Sequence, residues 1–151
     1  MNKEILNQHP VIEKLMDMQS AELQDFIFRV EEELLKYPQT EVPINDYFGH
    51  DTYGREMLAP AGVYLTGAVH KFPVLNVLLE GEVTVISIDG VQTLKAPYVY
   101  VSSPNAKRLF LTHTQIRWMN VFGTKDRNTK RVMKRYTHND KEESCQLLSQ
   151  P

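Results

Sequence analysis

The chain has 151 residues, of which 42% are hydrophobic and 24% charged, with 7 Gly, 8 Pro and one Cys. Those figures describe one globular domain with enough apolar residues for a core, and they exclude two full domains and a low-complexity chain. Cys145 has no second thiol to pair with, so an internal disulfide, a Cys-rich zinc site and a dithiol redox motif are excluded as well. The net charge is −2 but unevenly placed: residues 1–43 carry nine acids to four bases, and residues 123–151 carry seven bases to four acids.

No apolar stretch approaches the roughly 20 residues of a membrane span, and Met1-Asn2-Lys3-Glu4 opens no apolar signal core. The expectation is therefore a cytoplasmic protein with no membrane partner. Ends of opposite charge are read as attracting one another, or a symmetric neighbour's. A nucleic-acid arm is the less favoured reading, because Asp126 and Asp140 interrupt the basic run.

In chain order, Val11, Ile12, Leu15 and Met16 give a short helical face after His9-Pro10. Ser20 then suits the N-cap of a second helix, in which Leu23, Phe26, Ile27, Val30 and Leu34 recur at helical spacing and Tyr37-Pro38 supplies the stop. Residues 37–45 read as an extended linker, closing an N-terminal arm of residues 1–43. From Tyr47 to Phe122 the texture becomes short β-rich runs separated by turns. The predicted strands are Tyr53 to Leu58, Val63 to Thr66, Val74 to Leu79, Glu82 to Ile88, Val91 to Lys95, Tyr98 to Ser102, Arg108 to His113 and Ile116 to Phe122. Asp89-Gly90 predicts a type I′ hairpin, since both residues tolerate positive φ. Eight strands within this span suggest a mainly β, antiparallel jelly-roll barrel over residues 44–124, followed by a polar, basic tail over residues 125–151.

Gly62, Ala68, His70, Val74 and Gly81 fall at the spacing of the first motif of the cupin family: Gly, five residues, His, one, His, three or four, Glu, six, Gly. The second cupin motif, a Pro-Gly turn with a histidine after two further residues, resembles Pro104-Asn105-Ala106-Lys107-Arg108. Asn105 stands in the glycine place, which it can fill because Asn tolerates the left-handed conformation. A closer resemblance is to short cupin-like proteins, mostly of unassigned function, encoded by tailed phages. It is carried by Tyr47-Phe48, Tyr53-Gly54-Arg55-Glu56, Gly67 to Lys71, Asn76, Ala96-Pro97, Lys107-Arg108 and Trp118, across residues 44–124.

The resemblance implies a single cupin-like barrel, and with it a metal site of three imidazoles and a carboxylate. The residues depart from that set. Ala68 and Val74 cannot ligate, His70 alone is kept, and Arg108 puts a permanent positive charge where a cation would sit, so no metal and no other cofactor is expected. The resemblance also implies that His70 and Arg108 face the barrel interior. His70 is then either a ligand-binding or proton-shuttling group, or a core histidine satisfied by a carbonyl. Arg108 needs a counter-charge, which is either an internal acid (Glu56 or Asp51) or an anionic ligand such as phosphate or carboxylate.

Arg55 and Glu56 are neighbours on one strand, so only one of them reaches the pocket. Asn76 breaks an apolar strand and either reads a ligand or ties down a neighbouring strand. Tyr64, Tyr98, Tyr100, Phe110 and Trp118 offer stacking surface or plain core, and Lys71 and Lys107 are expected in solvent. His50-Asp51, Ser102-Ser103 and Cys145 lack the partners of a nucleophilic site. The run Lys130 to Tyr136 is read as a solvated terminal strand or helix ahead of a nucleic-acid contact.

The candidate site is therefore His70, Arg108, Asn76, Arg55, Tyr64 and Trp118. The expected function is non-catalytic binding of a small anion, a nucleotide or sugar phosphate, which in a phage setting would sequester a host signalling nucleotide. The alternatives are a metal-independent isomerase or epimerase, with His70 as base and Arg108 stabilising developing charge, and a structural module of a phage particle. The amphipathic arm predicts a homodimer or larger closed oligomer, because a small barrel leaves its apolar face uncovered.

Overall fold

A computed structural model describes residues 18–138. The predicted first helix at Val11 to Met16, residues 1–17, and Cys145 in the tail beyond His138 lie outside the described residues. Helix α1 (Ser20–Leu34) is followed by nine strands and a second helix. The strands are β1 (Ile44–Gly49), β2 (Thr52–Ala59), β3 (Tyr64–Thr66), β4 (Val74–Glu80), β5 (Glu82–Ser87), β6 (Gly90–Lys95), β7 (Tyr98–Ser102), β8 (Leu109–Thr112) and β9 (Ile116–Gly123), and helix α2 is Thr129–Tyr136. They form two antiparallel sheets, ordered β1-β2-β9-β4-β7 and β3-β8-β5-β6. This is the mainly β, jelly-roll-like arrangement preceded by a helix that the sequence predicts.

Pleating decides which residues meet between the sheets. In the five-stranded sheet the pairs Met57–Trp118, Arg55–Asn120, Asn76–Asn120 and Leu78–Trp118 place those side chains on the inner face. There Leu78, Trp118, Ile116 and Ala59 pack against Val83, Val85, Leu94 and Phe110 of the smaller sheet. Gly81 closes β4 against this core at φ +88°, and a Cβ there would sit 2.1 Å from the Gln115 carbonyl oxygen, so the last position of the first motif admits only glycine. Asn105 takes φ +65°, the left-handed turn expected of it.

Four local expectations are corrected. Gln19, not Ser20, is the N-cap of α1 and it makes no side-chain cap bond; Ser20 is the first helical residue. The β5–β6 hairpin pairs Ser87 with Gly90, so the turn centres on Ile88-Asp89 and only Gly90 has positive φ. Asp89 is held there by its own N–H donating to Ser87 Oγ and by its carboxylate accepting from Ser103, and with no positive φ at Ile88 or Asp89 the turn is not type I′. The stretch 44–49, read as linker and body start, is strand β1, which alternation hid because nearly all of its residues are exposed. The basic segment 129–136 is a helix folded back on the barrel: Val132 is fully buried with Tyr53, Val74 and Phe122.

Helix α1 does not leave its apolar face open. Leu23 and Ile27 pack on Ile86, Val91 and Leu109, on the outer face of the smaller sheet. Gln24, fully buried, locks the arm down: its Nε2 donates to Asn105 O at 2.7 Å, and its Oε1 accepts from Lys107 N at 2.8 Å. Lys107, expected in solvent, is 4% exposed. Its ammonium donates to the Glu31 carboxylate and to Gly67 O, and lies over the Phe28 ring. Among the described residues no helix is long and apolar enough to cross a membrane.

Candidate functional site

Lys107 and Arg108 are consecutive, so their side chains leave the chain on opposite sides. Lys107 goes under α1 and Arg108 goes between the sheets, where it is 4% exposed. Its Nη1 donates to Asn76 Oδ1 at 2.9 Å and to the Tyr100 hydroxyl at 3.3 Å, and its Nη2 donates to His70 Nδ1 at 3.0 Å. All three partners are neutral. Among the described residues no carboxylate comes within 4.0 Å of the guanidinium, and Arg108 Nε is buried with no hydrogen-bond partner.

The two internal acids weighed as counter-charges are elsewhere. Glu56 is on the outer side of β2, where it accepts from Asn45 Nδ2 at 3.0 Å and lies 4.0 Å from Arg117. Asp51 sits in the exposed β1–β2 turn, 3.7 Å from His50.

An imidazole nitrogen that accepts from a guanidinium carries no proton, so His70 is neutral with its proton on Nε2. Burial, and then the charges of Arg108 and Arg55, push its pKa down to about 3. Burial likewise raises the Tyr100 phenol. Asn76 is fully buried; its Nδ2 donates to Val74 O at 2.8 Å, while its Oδ1 accepts from both Arg108 and Asn120 Nδ2, the latter at 2.6 Å. It thus ties two strands, β4 and β9, to the buried charge, which settles how a polar residue survives mid-strand.

Beside this network lies a cavity of about 200 Å³. His70, Arg108, Arg55, Asn120 and Thr66 supply polar groups to it, and Ile44, Met57, Phe110, Trp118 and Met133 supply an apolar wall. Arg55, about one-third exposed, and Ile44, 37% exposed, mark the mouth; His70, Arg108, Phe110 and Trp118 form the floor. The structure therefore brings together five of the six candidate residues: His70, Arg108, Asn76, Arg55 and Trp118. Tyr64 is separate. It is 51% exposed and lines a different groove, between the end of α1 and β3, with Tyr37 and Leu35.

The sequence singles out none of Ile44, Met57, Thr66, Asn120 and Met133. Asn120 carries the same signal as Asn76, a polar residue at an inward position of an apolar strand. Tyr100 was placed only among the aromatics, and Met133 arrives from a helix whose return over the barrel no local pattern announces.

The positions that would hold a metal in the resembling motifs, Ala68, His70, Val74 and Arg108, offer one imidazole nitrogen set, and that ring is bonded to a guanidinium. Such a donor set does not fit a cation. No group of three or more His, Cys, Asp or Glu side chains is gathered for a metal elsewhere among the described residues.

No family model matches the chain, and no curated protein matches it. Among solved structures it is similar to a candidate ethanolamine utilization protein Q from Salmonella typhimurium LT2, at TM-score 0.48 and 19% identity over 58% of this chain and 72% of that one. It is also similar to a cupin superfamily protein from Desulfitobacterium hafniense DCB-2, at TM-score 0.48 and 11% identity over 58% and 82%. A third is an RmlC-like cupin family protein with a double-stranded β-helix fold from Methanocaldococcus jannaschii, at TM-score 0.46 and 13% identity over 57% and 83%.

Proposed function

We propose that this chain is a cupin-type protein whose barrel cavity binds a small organic anion, a carboxylate or a phosphate, without a metal and without turning it over. Arg108 carries the reading: a buried guanidinium with neutral partners only, and with an unpartnered Nε, beside a cavity. A buried charge left without a counter-charge costs several kcal/mol, and a bound anion would remove that cost. Arg55 at the mouth adds a second positive charge, and His70 remains neutral and cancels none of it.

Catalysis is disfavoured by the state of His70. With a pKa near 3 and its Nδ1 engaged by Arg108, it is poorly matched to general-base work at neutral pH. The size of the cavity bears on the ligand: about 200 Å³ lies below the roughly 300 Å³ at which sites for larger ligands begin. Of the ligands the sequence suggested, a compact sugar phosphate or acid suits it better than a whole nucleotide. The phage resemblance extends the proposal to a setting: sequestering a small anionic metabolite of the host cell cytoplasm.

The test is a calorimetric titration of the purified chain at fixed ionic strength with acetate, inorganic phosphate, ribose 5-phosphate and benzoate. At least one is expected to bind wild type and to lose at least tenfold in affinity in Arg108→Gln. Failure of all four, or equal binding by the variant, would overturn the proposal.

A further inference from the structure

From the donor count and the apolar wall we infer that the ligand is a compact carboxylate with an apolar body, an inference that rests on the anion-binding reading above. An arginine has five N–H donors. Arg108 spends three of them, on Asn76, Tyr100 and His70, which leaves Nε–H and one Nη2–H. Two remaining donors equal in number the two oxygens of a carboxylate, whereas a phosphate presents three acceptor oxygens and up to two charges. Arg55, the other guanidinium, is at the mouth and already faces Asp46 at 4.0 Å.

Around the remaining volume, besides Arg55, Thr66 and Asn120, the wall is Ile44, Met57, Phe110, Trp118 and Met133. Thr66 and Asn120 already donate to Glu31 and Asn76, so a sugar's several hydroxyls would lose water there with few free partners, at a cost an alkyl or aryl body does not incur. Two methionines, on β2 and α2, allow the wall to adjust to the shape of that body.

The experiment compares cyclohexanecarboxylate, benzoate, acetate and ribose 5-phosphate on the full chain, by calorimetry, in wild type, Met57→Gln and Arg108→Gln. Cyclohexanecarboxylate or benzoate is expected to bind at least tenfold more tightly than acetate and ribose 5-phosphate. Met57→Gln should reduce the affinity for the bulky acids while leaving that for acetate within twofold, and its melting temperature serves as the control for folding. Tightest binding by ribose 5-phosphate, abolished in Arg108→Gln, would overturn this inference and leave the anion site standing. Binding of none of the four would sink both.

Discussion

Two buried cations one residue apart are handled in opposite ways. Lys107 and Arg108 are each 4% exposed. Lys107, beneath α1, meets the Glu31 carboxylate, a carbonyl and an aromatic face, and is neutralised within the chain. Arg108, on the inner face, meets two neutral oxygens, an imidazole nitrogen and the face of Phe110, and no carboxylate among the described residues answers its charge. The difference teaches that burial of a charge is not by itself a sign of function. What marks the inner site is the missing acid, together with space next to it.

Breaking the outer pair should have the largest effect. Glu31→Gln leaves the Lys107 ammonium buried beside a neutral amide, and urea denaturation is expected to show a loss of about 2 kcal/mol. That is less than the 3–5 kcal/mol typical of a fully buried pair, because the Glu31 side chain is 31% exposed. No measurable loss would mean that Lys107 is neutralised in some other way.

The inner site should show itself through pH. His70 titrates near 3 in the folded chain and near 6.5 when unfolded, so across that window the unfolded state binds a proton that the folded state does not. Stability from this group therefore falls as pH drops from about 6.5 toward 3. Between pH 7.5 and 5.5 the expected loss is about 1.4 kcal/mol, and His70→Gln should abolish that part of the slope. A flat profile in wild type would show that the ring is solvated, and a stability that rises as pH falls would show that it is paired with an acid.

The smallest effect is expected outside both regions. Tyr64→Ala, in the groove by α1, should leave anion affinity unchanged within twofold and stability within about 0.5 kcal/mol. A large loss of affinity would extend the site beyond the cavity described.

How much of this was legible follows from which forces act locally. Strands with one buried face betray themselves by alternation, so β2 to β9 each lie within one residue of their predicted ends, while β1, exposed along nearly its whole length, gave no such pattern. The motif spacing correctly paired His70 with Arg108, because the two positions are fixed by the glycine at 81 and the left-handed turn at Asn105. Partnership across the fold was not legible. That Glu31, rather than solvent, meets Lys107 depends on where α1 docks, and that Met133 lines the cavity depends on α2 folding back. Gln24 illustrates the limit: a glutamine on a helix reads as surface until the two backbone groups it satisfies are known.

The central claim is that Arg108 bears a charge the chain itself leaves unbalanced, and the stability of Arg108→Met with and without anion tests it most directly. In buffer free of organic anions, chemical denaturation should place the variant within about 1 kcal/mol of wild type, or above it, since removing an unpaired buried charge offsets the three lost hydrogen bonds. Adding a saturating carboxylate should stabilise wild type and not the variant. A variant that loses 3 kcal/mol or more without any anion, as expected on breaking an internally neutralised ion pair, would contradict the account.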